Sequence, residues 1–102
     1  MSQAKNLYDN LPLLSTGEDF SVLLSHKNVV IERIVSSEEV DHKIYNQAQD
    51  EWFILLQGKA KLKVNDDIVS LRSGDYLFLP AHTPHQVLET AKNTIWLAVH
   101  IH

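Results

Sequence analysis

Residues 51–85 read EWFILLQGKAKLKVNDDIVSLRSGDYLFLPAHTPH and carry the strongest structural signal in the chain. Within them, residues 59–64 alternate lysine with apolar residues, and this period of two is typical of a strand with one wet and one buried face. The Asn-Asp-Asp sequence at residues 65–67 indicates a tight turn, from which residues 68–71 return as the next strand. The stretch therefore predicts antiparallel β-structure.

Strand signals continue on both sides of this stretch, with turn residues between them. The pattern predicts about eight short strands and no long helix. The predicted strands are residues 20–25, 29–36, 51–57, 59–64, 68–71, 76–79, 85–89 and 94–101. Such a series indicates an all-β sandwich or barrel.

The start of the chain lacks this alternation. Its apolar residues, which Pro12 and Gly17 interrupt, are Leu7, Tyr8, Leu11, Leu13 and Leu14. We therefore expect a short N-terminal arm with one helical turn, packed on the body of the protein. A chain of 102 residues suits one domain, here with an arm at 1–19 and a barrel at 20–102.

Composition narrows the classes of function. The chain has 9 basic and 13 acidic side chains and a net charge of −4 with neutral histidines, which disfavours binding to a nucleic-acid backbone. It has no cysteine, which excludes disulfides, thiolate metal sites and a cysteine nucleophile. The apolar runs are too short to span a bilayer, and the first residues lack the pattern of a signal peptide. We therefore expect a cytoplasmic protein without nucleic-acid or membrane partners.

Two sets of spaced residues stand out. Six residues separate Glu51 from Gly58, five separate Gly74 from Pro80, and His85 lies five positions after Pro80. These spacings resemble the two motifs of the cupin superfamily, over roughly residues 29–89. The resemblance implies a double-stranded β-helix, or jelly-roll, barrel in which the glutamate and the histidine point inward and bind a divalent metal. It also implies a homodimer.

The first motif departs from the family pattern. Where the family has two histidines before the glutamate, this chain has Tyr45 and Gln47, as in a subgroup of small single-domain (type-2) cupins with a degenerate first motif. Imidazole and carboxylate are good ligands for Zn, Fe, Ni and Mn, whereas an amide oxygen or a neutral phenol is weak. The resemblance thus implies a reduced metal site of Glu51, His85 and Gln47. Without metal, Glu51 and His85 would form an acid–base pair, with Tyr45 as the third candidate catalytic residue or a substrate contact.

Three functions stay open at this point, because one fold hosts many chemistries. The first is a small-molecule pocket around Glu51 and His85 that acts as an enzyme of the oxygenase or isomerase type, with or without a divalent metal. The second is a non-catalytic ligand-binding module. The third is a structural homodimer that has lost its site. The sequence does not decide whether the protein is an enzyme.

Three further residues have alternative roles. Arg33 would grip an anionic ligand if it pointed inward, but the favoured interpretation is an edge position beside Glu32 with both charged ends in solvent. His82 lies in a loop between two prolines and is expected to be a surface or turn residue. His100 shares a face with Trp96 and is expected to be a satisfied core or interface histidine.

Overall fold

The computed structural model describes residues 3–102, and nine β-strands follow one another in that range. The strands are β1 Glu18–His26, β2 Val29–Ser36, β3 Ile44–Tyr45, β4 Asp50–Gln57, β5 Lys59–Val64, β6 Asp67–Arg72, β7 Tyr76–Leu79, β8 His85–Thr90 and β9 Thr94–Ile101. The eight predicted strands are all present, and β3 is an additional short one. None of the described residues belongs to a helix with the length and apolar character needed to cross a bilayer.

The strands form two antiparallel sheets. One has the order β1-β2-β9-β4-β7 and the other the order β3-β8-β5-β6. Strands that are distant in sequence are therefore neighbours, since β9 lies between β2 and β4 and β8 lies between β3 and β5. This arrangement is the predicted all-β jelly-roll barrel.

Inward-facing side chains of the two sheets meet in one core. The alternation predicted for β5 is confirmed, because Ala60 and Leu62 are buried whereas Lys59 and Lys63 are exposed. The core cluster consists of Phe53, Leu55, Ala60, Leu62, Leu71, Leu79, Trp96 and Ala98. Burial of each large side chain in it contributes about 1.5–3 kcal/mol, so this cluster holds the sheets together and sets the space between them.

The register of β4 separates two kinds of side chain. Glu51 is paired with His100 of β9, and the next residue, Trp52, is paired with Val99 of β9 and Phe78 of β7. Paired residues share a face of a sheet, and successive residues point to opposite faces. Glu51 therefore points into the barrel, as the cupin resemblance implies, and Trp52 points away from it.

Arg33 of β2 anchors the segment ahead of β1. Its Nη1 donates hydrogen bonds to the carbonyl oxygens of Leu7 at 2.8 Å and Asp9 at 3.0 Å. Arg33 is only 8% exposed, because the turn at residues 7–10 covers it. Both interpretations of this residue were therefore wrong, since its side chain neither points into the barrel nor reaches solvent. β1 begins at Glu18, and residues 1–2 of the predicted arm lie outside the described range. The division into an arm at 1–19 and a barrel at 20–102 stays a prediction.

Candidate functional site

A cavity of about 80 Å³ lies between the two sheets and is partly open to solvent. The four predicted site residues, Tyr45, Gln47, Glu51 and His85, all line it. Its other polar lining residues are Glu18, Glu32 and His100. The structure thus brings the predicted residues together and adds three, whereas the roles assigned to them stay predictions.

Glu51 and His85 face each other across this cavity. Glu51 lies near the start of β4 and His85 begins β8, so opposite sheets supply the two groups. His85 Nδ1 donates a hydrogen bond to the carbonyl oxygen of Thr83 at 2.9 Å. A carbonyl oxygen only accepts, so the neutral ring carries its proton on Nδ1 and presents the lone pair of Nε2. The distance from Nε2 to Glu51 Oε1 is 3.9 Å, too long for a direct hydrogen bond.

Glu51 is a largely buried carboxyl group that lines the partly open cavity. It is 7% exposed, and the imidazole nitrogen that faces it lies beyond hydrogen-bond distance. Burial raises the pKa of the Glu51 carboxyl above its usual value, while the charges of His100 and His85 lower it in part. Glu51 therefore holds a proton to higher pH than an exposed glutamate does, which is the property that acid–base chemistry requires.

Tyr45 supports the imidazole of His85. The two residues are paired between β3 and β8, and their rings stack with centroids 5.7 Å apart and an interplanar angle of 21°. Burial, followed by the charges of nearby carboxylates, raises the pKa of the Tyr45 phenol. The phenol therefore stays protonated, which makes it a poor metal ligand and a good ring support or hydrogen-bond donor.

Gln47 lies in the segment between β3 and β4. Its backbone carbonyl oxygen accepts a hydrogen bond from the backbone N–H of His82 at 2.7 Å, which ties this segment to the turn ahead of β8. His82 itself is exposed and adopts a left-handed conformation with a φ of 63°, in agreement with the predicted turn.

A second acid–imidazole pair was missed by sequence reasoning. His100 Nε2 lies 2.8 Å from Glu32 Oε1, and Gln49 Nε2 lies 3.3 Å from His100 Nδ1. The bond to Glu32 raises the pKa of His100, and burial opposes this rise. His100 is satisfied, as predicted, but it lines the cavity next to Glu51. The alternation of β9 indicated its face, whereas the register that pairs it with Glu51 could not be read from the sequence.

Glu18 is the third carboxyl group of the cavity, and the sequence prediction had placed it in the arm. Trp96 Nε1 donates to Ser36 Oγ at 3.0 Å, and Ser36 Oγ donates to Glu18 Oε2 at 2.5 Å. Burial raises the pKa of Glu18, and the bond from Ser36 lowers it in part. Within residues 3–102, no lysine or arginine lines the cavity to balance these acids.

The side chains around the gap offer a divalent ion only a few protein ligands. Bonds from Zn to nitrogen or oxygen are about 2.0–2.2 Å long, and the 3.9 Å between Glu51 Oε1 and His85 Nε2 is a separation that two ligands of one ion could have. The remaining predicted donor, Gln47, offers a weak amide oxygen. The part of the chain that the structure describes contains no group of three or more His, Asp or Glu side chains placed to hold a metal.

Together, the two sheets and their cavity define an antiparallel jelly-roll barrel with one internal site. The family model of the cupin domain matches residues 32–100, and the chain belongs to the cupin family.

Solved structures agree with this assignment. A candidate mannose-6-phosphate isomerase from Ralstonia eutropha JMP134 is 35% identical, with 98% of both chains covered and a TM-score of 0.86. An RmlC-like cupin from Desulfovibrio desulfuricans is 15% identical, with 99% of this chain and 97% of that chain covered and a TM-score of 0.80. KdgF from Halomonas sp. is 13% identical, with 83% and 78% covered and a TM-score of 0.77. The last two share the fold alone. No curated protein matches the chain.

Proposed function

We propose that this cupin binds a small molecule in its cavity, with a polar group of the ligand between Glu51 and His85. The observation that carries the proposal is a largely buried carboxyl group that lines the partly open cavity and faces the Nε2 lone pair of an imidazole across 3.9 Å. The cavity is partly open, so a ligand can reach both groups. A polar group placed there would bond both of them, and a purely structural barrel does not require this arrangement.

Among catalytic reactions, a proton transfer of the isomerase type suits this site best. Such a reaction takes a proton from one atom of the substrate and returns one to another. In this scheme Glu51 and His85 exchange the protons, and Tyr45 positions the ring of His85 by stacking on it. The name of the Ralstonia protein, which is 35% identical, supports this reaction type. A non-catalytic binding module is the alternative, and substrate turnover distinguishes the two.

A divalent metal is the second candidate occupant, favoured by the fixed tautomer of His85. A hydrogen bond from Nδ1 to a carbonyl oxygen orients a metal-binding histidine, and here it leaves Nε2 free toward Glu51. Glu51, His85 and Gln47 would hold Zn, Fe, Ni or Mn, and the ion would act as a Lewis acid on the substrate. Elemental analysis of protein purified without a histidine tag tests this: a stoichiometric metal that Glu51→Ala removes supports it, and metal-free protein that fails to take up any of the four ions contradicts it.

We also propose a homodimer formed through the outer face of the five-stranded sheet. The register aligns Ile31, Val99, Trp52 and Phe78 in one apolar row on this face. Phe78 is 54% exposed, which is unfavourable for an aromatic side chain on a free surface. The cupin resemblance points to a second copy as the cover. The cytoplasmic location and the absence of nucleic-acid and membrane partners stay predictions from the sequence.

Ligand-induced changes in melting temperature across a metabolite panel test the binding function. Glu51→Ala and His85→Ala should each abolish the stabilisation by any compound that binds the wild type, because they remove the two groups that the ligand bridges. Glu89→Ala and His82→Ala are matched controls, since both residues are exposed and outside the cavity, and they should leave the stabilisation unchanged. Stabilisation that survives both cavity substitutions would contradict the proposal.

A further inference from the structure

We propose that the ligand of this cavity is a small primary amine with an apolar body, and that sugar phosphates and other anions are rejected. This inference rests on the proposed binding function and names the class of compound. It is carried by the hydrogen-bonding polarity of the Glu51–His85 gap, by the charges around it and by the apolar lining.

The gap presents acceptors on both sides when Glu51 is ionised. His85 Nδ1 donates to Thr83, so Nε2 of the neutral ring accepts, and an ionised Glu51 carboxylate only accepts. Two acceptors 3.9 Å apart require a group between them that donates at least two hydrogen bonds. An ammonium group has three N–H donors and no acceptor, and its positive charge also favours the ionised form of Glu51.

The charges around the gap are negative. Three glutamates, Glu18, Glu32 and Glu51, line the cavity, and its only potential cations in the described range are His85 and His100. His100 is bonded to Glu32 and also faces Glu51 across the pair of strands β4 and β9. Three carboxyl groups thus stand against two imidazoles, so a ligand cation would balance the excess of acids and an entering anion would add to it.

The arginine nearest to the cavity in sequence cannot serve an anion. Arg33 follows the cavity residue Glu32 in β2 and therefore points to the opposite face. Its Nη1 is already bonded to Leu7 and Asp9, and its Nη2 to Ser21 Oγ at 3.4 Å. A phosphate in the cavity would meet three glutamates and no lysine or arginine, with only the two imidazoles as potential cationic partners, which is unfavourable.

The remaining lining suits an organic body rather than a bare ion. It consists of Phe20, Ile34, Phe53, Leu62, Val87 and Trp96. Aromatic faces in such a cavity also attract organic cations. A volume of about 80 Å³ corresponds to roughly five to eight water-sized groups, which sets the size of the compound.

Four probes test the inference. Isopentylamine, isopentanol and isovalerate share a branched five-carbon skeleton and differ in their polar group. Mannose 6-phosphate is the compound in the name of the Ralstonia protein. Each is titrated into the full chain in EDTA, and binding is followed by the indole N–H signal of Trp96, which lines the cavity, with Trp52 on the outer face as an internal control. We expect isopentylamine to bind at least tenfold more tightly than isopentanol, and the two anions to give no saturable shift of Trp96.

Glu51→Gln keeps the size of the side chain and removes its charge. It should lower the affinity for isopentylamine at least tenfold. Glu89→Gln is the same change on the surface and should have no effect. If Glu51→Gln does not fold, Glu18→Gln replaces it and should lower the affinity for isopentylamine at least threefold. An unchanged affinity in the folded variant overturns the inference.

The remaining outcomes separate this inference from the proposed function. Binding of isovalerate or mannose 6-phosphate at least as tightly as isopentylamine, or equal binding of the amine and the alcohol, overturns the amine class and leaves the binding function intact. If the organic probes fail and Zn²⁺ or Mn²⁺ without EDTA shifts Trp96, the amine class is likewise overturned in favour of the metal. If none of these probes shifts Trp96, both the amine class and the binding function are contradicted.

Discussion

Gly58 occupies a backbone position that no other residue fits. It joins β4 to β5 with a φ of 98°, and a Cβ atom there would lie 2.9 Å from the backbone Cα of Thr94. Left-handed strain and the clash together should make Gly58→Ala cost about 2–4 kcal/mol of the free energy of unfolding in urea. Gly74 has a φ of 95° but open space around it, so Gly74→Ala should cost only about 1–2 kcal/mol. Equal losses would show that the approach to Thr94 is unimportant.

The His100–Glu32 pair should make stability depend on pH. The bond to Glu32 raises the pKa of His100 above its ordinary value of 6.5, burial opposes the rise, and the charge of Glu51 adds to it. Because the folded-state pKa is the higher one, the contribution of the pair is complete below pH 6.5 and is lost as the pH rises through the folded-state value.

Titration of the imidazole signals by NMR checks this prediction. His100 faces Glu32 from β2, Glu51 from β4 and the amide of Gln49, and its pKa should lie above 6.5 in the wild type. Glu32→Gln should lower it, and Glu89→Gln on the surface should not. A wild-type His100 that titrates at or below 6.5 contradicts the assigned pairing.

At the residue scale, spacing predicted part of the site. Glu51 and His85 were found because each stands at a fixed distance from a glycine or proline that ends a strand. Glu18, Glu32 and His100 were not, because they enter the cavity through strand pairing between distant segments. Alternation gives the face of a residue within its own strand, but not its neighbours on the next one.

Among the elements, strands with strong alternation were predicted best. The predicted bounds are confirmed for β2, β5, β7 and β9. Strand β3 was missed because two residues are too few to show an alternating pattern. The strand β1 begins earlier than predicted, since Glu18 is polar yet faces the cavity. Arg33 was misplaced for a related reason: the cover over its strand comes from the arm, and the sequence does not show where an arm packs.

Arg33 should hold the N-terminal segment and leave the cavity unaffected. Arg33→Met keeps the apolar stem but removes the bonds to Leu7 and Asp9. Hydrogen bonds from a charged donor contribute about 1.5–3 kcal/mol, so hydrogen exchange of the turn at residues 7–10 should accelerate about tenfold or more. The exposed Arg72→Met is the control. Unchanged exchange in Arg33→Met, or a shift of the Trp96 indole signal, would contradict this role.

At the scale of the whole molecule, the proposed dimer depends on the outer apolar face of the five-stranded sheet. Phe78→Glu places a charge in the row of Ile31, Val99 and Trp52, and burying that charge against a second copy would be costly. Sedimentation should therefore show a dimer for the wild type and a monomer for this variant. Ile68→Glu changes an exposed residue of the other sheet and should stay dimeric. A monomeric wild type, or a dimeric Phe78→Glu, would exclude this interface.

A crystal structure of the untagged protein grown with isopentylamine tests the central claim most directly. We expect the amine nitrogen within hydrogen-bond distance of both Glu51 Oε1 and His85 Nε2, with the His85 Nδ1–Thr83 bond retained. A direct bond that closes the Glu51–His85 gap, with no amine in the cavity, would contradict the account.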